Sequence, residues 1–117
     1  MSTLPDLDYH AALANMAGMV ELYREALAAF LQEAPLLMQQ YREHWLAGDW
    51  PVARRAAHSL KSSAAVMGAL ALSQAARYLE QLATAEDGSQ PVLEAAWLAC
   101  MQAWQRFTQA VEVYLPA

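Results

Sequence analysis

Between Met19 and Ala47 the large apolar side chains Val20, Tyr23, Leu27, Phe30, Leu37, Tyr41 and Trp45 recur at helical intervals among polar neighbours. At about 3.6 residues per turn such spacing gathers them into one stripe, the mark of an amphipathic helix. The cleanest period lies near the end of the chain, where Leu93, Trp97, Cys100, Trp104, Phe107, Val111 and Tyr114 alternate steps of four and three. Two further helices follow from the same reading. One runs from about Trp50 to Met67, with Ala53, Leu60, Ala64 and Met67 inward, and one from about Leu70 to Ala85, with Leu72, Ala75, Ala76, Leu79 and Leu82 inward. A short helix from Asp8 to Met16, with Asp6 or Asp8 as its cap and Tyr9, Leu13 and Met16 on one side, is too short to stand alone.

Punctuation separates these segments at Pro5, Gly48-Asp49, Gly68 and Asp87-Gly88 to Pro91. Gly48 is expected to end one helix and Asp49 to cap the next, with Pro51 in a first turn that needs no amide donor from it. Pro35 interrupts the first long stripe, and the missing hydrogen bond predicts a kink or a restart near Glu33 to Pro35. Glu86 to Gln90 reads as a polar turn, and no strand signal or internal repeat is present. The prediction is an all-α single domain over residues 1–117: an antiparallel up-down four-helix bundle, with its core at about 19–115, preceded by a short extra N-terminal helix. Trp97, Trp104 and Phe107 are expected to be buried, because the alanines of the other helices need bulky residues opposite them.

Composition narrows the function. With 57% apolar and 16% charged residues the chain can bury a core, yet no apolar run approaches the ~18 residues of a membrane span. The N-terminus lacks the basic-then-apolar order of a leader, and Cys100 is the single cysteine, so a cytoplasmic monomer without disulfides or a multi-cysteine metal site is expected, with Met1 and the compact ends favouring a free-standing chain over a piece of a larger kinase. A net charge of −5 argues against nucleic acid as a partner. Against that acidic background Lys61, the only lysine, lies with Arg54 and Arg55 within about one helical turn of His58.

On a helix, His58 shares its face with Arg54, Lys61, Ser62 and Ala65 and stands opposite Ala53, Leu60, Ala64 and Met67, so the imidazole looks outward. His10 and His44 have no such surroundings and read as solvated. No two histidines have the i, i+4 spacing of a helical metal site, and no glycine-rich elbow or phosphate-cradling loop accompanies the serines Ser59, Ser62 and Ser63. What remains is a histidine that could itself be the nucleophile, and phosphoryl transfer asks for such an accessible ring nitrogen with positive charge nearby. Lys61 can supply positive charge one turn away, small residues from Ser62 to Ala65 keep the surface low, and Glu80 on the following helix can accept from the other ring nitrogen and fix the tautomer.

These residues resemble the core motif of the histidine-containing phosphotransfer (HPt) domains of multistep two-component phosphorelays. The likeness runs from Ala57-His58-Ser59-Leu60-Lys61 to Gly68-Ala69, with Phe30 to Pro35 and Leu79-Glu80 as flanking matches, and covers most of residues 19–85. Ser62 departs from the glycine common after the lysine. The resemblance implies a four-helix bundle that carries a phosphoryl group on Nε2 of His58 between aspartates of two receiver domains, one in a hybrid histidine kinase and one in a response regulator. It also implies that Lys61 contacts the phosphoryl group and that Glu80 orients the ring. Arg54, Arg55, Ser62 and Ala65 are then the partner-binding surface. The chain would be a phosphocarrier rather than an enzyme, with no cofactor of its own, magnesium belonging to the receiver. The competing expectation is a helical interaction module that binds a receiver or kinase without being phosphorylated, which the presence of His58 and Lys61 argues against. A dimeric kinase fragment would need an ATP-binding domain for which the sequence has no candidate.

Overall fold

The computed structural model describes residues 4–86 and 89–115. Over them the chain forms five helices, α1 Tyr9–Asn15, α2 Val20–Leu46, α3 Trp50–Val66, α4 Leu70–Ala85 and α5 Gln90–Tyr114, and no strand. Every segment with a helical period is a helix, with ends within a few residues of the expected ones. The predicted turn between α4 and α5 includes Asp87 and Gly88, which lie outside the described residues.

Two local expectations need correction. Of the kink or restart expected at Pro35, the restart does not occur, since α2 runs unbroken for 27 residues. Its buried line is Tyr23, Leu27, Phe30, Ala34, Met38, Tyr41 and Trp45, while Pro35 itself is exposed. The carbonyl it leaves without a partner therefore faces water, which can hydrogen-bond it, and the proline costs far less there than on the packed side. The stripe passes through Ala34 and Met38 rather than Leu37, which is half-buried, and Val20 is exposed. Asp49 occupies the N-cap position of α3, but its carboxylate makes no capping bond and lies 3.5 Å from Nδ1 of His44 instead. His44 is thus a half-buried neighbour of Asp49 rather than a freely solvated ring. Asp8 does cap α1, accepting from the Ala11 amide at 3.1 Å.

The interior divides by residue size. α3 turns Ala53, Ala56, Ala57, Leu60 and Ala64 inward, and α4 turns in Leu72, Ala76, Leu79 and Ala83, so small side chains let these two helices pack closely. α2 and α5 stand further apart, and rings fill the space between them. Phe30 meets Trp104 and Phe107 edge-on at 5.5 and 5.6 Å, and the Trp97 indole N–H donates to the Met38 carbonyl at 3.0 Å. Phe107 is fully buried, but Trp97 and Trp104 are only partly so, contrary to expectation. An indole reaching across a helix gap covers the core with one face and leaves the other at the surface, where the Arg42 guanidinium lies 5.5 Å from the Trp97 ring. Tyr114 is likewise half-exposed and stacks on Tyr9 at 4.6 Å.

Two buried hydroxyls set the register of α2. Tyr23 donates to the Met67 carbonyl at 2.9 Å and Tyr41 to the Leu79 carbonyl at 2.6 Å. Burial, with a smaller contribution from Tyr9, pushes the Tyr23 hydroxyl up to about 12, and burial raises Tyr41 as well, so both remain donors. The Cys100 thiol is pushed up to about 12 by burial and is an inert core residue.

The segment ahead of α1 is strapped across the α3–α4 turn. The Asp8 amide donates to the Gly68 carbonyl at 2.8 Å, the Ala71 amide to the Pro5 carbonyl at 3.0 Å, and Arg106 to Asp6 at 2.9 Å. Gly68 has φ +79°, and a Cβ there would lie 2.5 Å from the Asp8 carbonyl oxygen and 3.0 Å from the Ala12 Cβ. Left-handed backbone and close approach both exclude a side chain. Gly68→Ala is expected to destabilise the protein by about 2–4 kcal/mol, the left-handed penalty plus displacement of the strap. Urea unfolding measures this, and a loss below about 0.5 kcal/mol would show that the strap yields without cost.

Candidate functional site

His58 sits mid-way along α3 because its neighbours Ala57, Leu60 and Ala64 take the buried side of that helix. Its side chain is 60% exposed, and Arg54, Arg55, Ser59, Ser62 and Ala65 are exposed around it. The expected face is therefore the observed one. From α4, Glu80 reaches across with its side chain only 18% exposed. Its Oε2 is 2.7 Å from Nδ1 of His58, and its Oε1 accepts from Nζ of Lys61 at 2.6 Å. One carboxylate thus holds both residues that the sequence singled out. The Ser73 hydroxyl donates to the Lys61 carbonyl at 2.9 Å and ties the two helices one step further along.

Electrostatics follow from this geometry. Partial burial works to raise the Glu80 carboxyl, but the hydrogen bonds from Lys61 and His58, and their charges, outweigh it and hold the group below the ordinary carboxylate range. Glu80 is then ionised near neutral pH and can only accept. Nδ1 of His58 must carry the proton, which leaves the lone pair of the neutral ring on Nε2. That an ionised carboxylate faces Nδ1 is the arrangement the sequence suggested for Glu80. The link from Glu80 to Lys61 was not anticipated.

The cations divide into two groups. Arg24 pairs with Glu21 at 3.8 Å, Arg42 with Glu94 at 2.8 Å and Arg106 with Asp6 at 2.9 Å, all away from His58. Arg54, Arg55 and Arg77 have no carboxylate partner among the described residues, and all three are exposed. Arg54 and Arg55 line an open depression with His58, Ser59 and Glu80. Arg77 lines two others with Lys61. The sequence reading missed Arg77. Its signal was its position one turn before Glu80 on the same helix, which matters only once Glu80 is placed beside His58. Ser62 and Ala65 border one of the depressions shared by Lys61 and Arg77. His10 is exposed on α1, and His44 faces Asp49 as described.

An exposed ring nitrogen with a free lone pair, a lysine one turn away and unpaired arginines on the same surface suit a nucleophile for a phosphoryl group. No curated protein and no solved structure matched the chain. A protein-family model described as the Hpt domain matches residues 25–112, which contain α3 and α4 whole, most of α2 and α5, and not α1. The chain therefore belongs to the Hpt domain family, the helical histidine-phosphotransfer modules that work with receiver domains in two-component phosphorelays.

Proposed function

We propose that His58 is the phosphorylated residue of this chain, accepting a phosphoryl group from a receiver aspartate of a hybrid histidine kinase and passing it to the aspartate of a response regulator. The observation that carries the reading is the 2.7 Å contact between Nδ1 and Glu80 beneath a side chain that is 60% exposed. In the neutral ring it fixes the proton on Nδ1 and leaves the lone pair on Nε2, on a side chain that a partner can reach. In the forward step the Nε2 lone pair forms the P–N bond as the P–O bond to the receiver carboxylate breaks, and that carboxylate leaves with the electron pair. In the neutral Nδ1–H tautomer Nε2 has no proton to lose. The positive charge that develops on the ring is shared through Nδ1–H with Glu80. Onward transfer is the same exchange in reverse with a second aspartate.

On this reading Lys61 stabilises the oxygens in transit, and Arg54, Arg55, Ser62 and Ala65 meet the partner. Magnesium belongs to the receiver. The chain is a cytoplasmic monomeric carrier without catalysis of its own, one domain in which α2 to α5 form an antiparallel up-down bundle and α1 is an addition. Incubation with a panel of phosphorylated receiver domains tests the central claim. Acid-labile, base-stable label on the wild-type chain is expected, and its absence with every receiver would overturn it.

Lys61→Ala is expected to slow transfer roughly ten- to a hundredfold, or ~1.4–2.7 kcal/mol of barrier, with the fold intact. No other lysine exists to replace it, and Lys61→Arg should recover part of the rate because the charge returns in a different shape. Rapid-quench measurement decides: an alanine variant within twofold of wild type would make Lys61 only a structural partner of Glu80.

A further inference from the structure

We infer that Arg77 is an orienting contact for the incoming receiver domain, engaging carboxylates on that partner's surface from the α4 side of the site. The inference rests on the assignment of His58 as the phosphorylated residue.

The charge balance around His58 leads to it. Lys61 is engaged with Glu80 at 2.6 Å, and the two charges largely cancel at a distance. What this face offers an acidic partner is therefore carried by Arg54, Arg55 and Arg77, the three arginines that no carboxylate neutralises among the described residues. On a chain of net charge −5, every other described arginine is paired. Three guanidinium groups without a carboxylate partner among the described residues, two lining the His58 depression and one lining those of Lys61, therefore mark the surface toward which opposite charge is steered.

Position separates Arg77 from the other two. Arg54 and Arg55 precede His58 on α3 by one turn. On α4, Ser73 is anchored to the Lys61 carbonyl at 2.9 Å and Glu80 to the side chains of His58 and Lys61. Arg77 stands between these two anchor points, one turn from each, and so is level with the His58–Lys61 turn on the neighbouring helix. It lines an open depression of about 550 Å³ with Lys61, Ser62, Ala65 and Leu4, and another of about 410 Å³ with Lys61, Glu80 and Gln81. The arginines of α3 alone would hold a docked partner at one edge and leave it free to turn about that edge. With Arg77 on the second helix, cations contact the partner on two sides of the nucleophile. That fixes the angle at which the phosphoaspartate meets Nε2.

A receiver suits this surface because the phosphoryl group it carries, and the carboxylates that hold its magnesium, are negative groups close to the reacting aspartate. A small phosphodonor such as phosphoramidate has no such surface to orient. The receiver that labels wild-type protein fastest and phosphoramidate are therefore the two donors to compare. For Arg77→Ala, kcat/KM with the receiver is expected to fall about tenfold relative to the phosphoramidate rate at low salt, mostly through KM, and to depend less steeply on ionic strength. Arg77→Lys should restore most of the loss, and Arg77→Glu should deepen it. A receiver rate for Arg77→Ala within twofold of wild type at both low and high salt would overturn the role. So would an equal loss with both donors, which would place the effect in Glu80 or the ring rather than in docking. Failure of the wild-type chain to label at His58 with any receiver would count instead against the proposed function.

Discussion

His58→Gln is expected to accept no phosphoryl group from any receiver while keeping the helical spectrum and unfolding midpoint of the parent. The chemical loss is complete because an amide nitrogen has its lone pair delocalised into the carbonyl and is not a nucleophile under these conditions. The structural loss is small because the ring is 60% exposed and rests on no part of the core. A glutamine amide can also donate to Glu80, so the carboxylate keeps Lys61 and gains a replacement for Nδ1–H. Two other histidines supply the internal control. His10 is exposed on α1, and His44 sits 3.5 Å from Asp49, and neither lines the depressions lined by Lys61, Arg77, Arg54 and Arg55. Label remaining on the variant would move the site to one of them and remove the basis for every transfer prediction made above.

The largest effect on stability is expected at Phe107. This ring is fully buried, meets Phe30 edge-on at 5.6 Å and lies against Trp104 at 6.0 Å. It occupies the gap that the large separation of α2 and α5 creates. Phe107→Ala removes the ring and leaves a space that neighbours on two helices cannot both move to fill, a change that costs about 3–5 kcal/mol. Trp104→Ala should cost less, although tryptophan is larger, because part of the indole is already in water. Chemical unfolding of the two variants reads the difference directly. A cost for Phe107→Ala no greater than that for Trp104→Ala would mean that α2 and α5 close up around the deletion.

Much of this protein was legible in its sequence, for a reason that is local. Helical spacing depends on residues three and four apart, so the stripe from Leu93 to Val111 and the outward face of His58 follow from the chain without knowledge of its neighbours. The caps and stops at Asp8, Gly48 and Gly68 are equally short-range. The ordering of residues around His58 was specific enough to suggest the family before any fold was known.

The tertiary structure decided what depends on register between helices. Glu80 is 22 residues from His58 and 19 from Lys61, and only the packing of α4 on α3 sets it 2.7 and 2.6 Å from their nitrogens. The same packing brings Arg77 to the site, makes Gly68 a point of contact with Asp8, and settles which indole faces are covered. It also decides that Pro35 faces water rather than the core. Periodicity places a side chain on one side of its own helix, whereas the partner of His58 Nδ1 is a carboxylate from another helix, brought there by the size of the alanines between them.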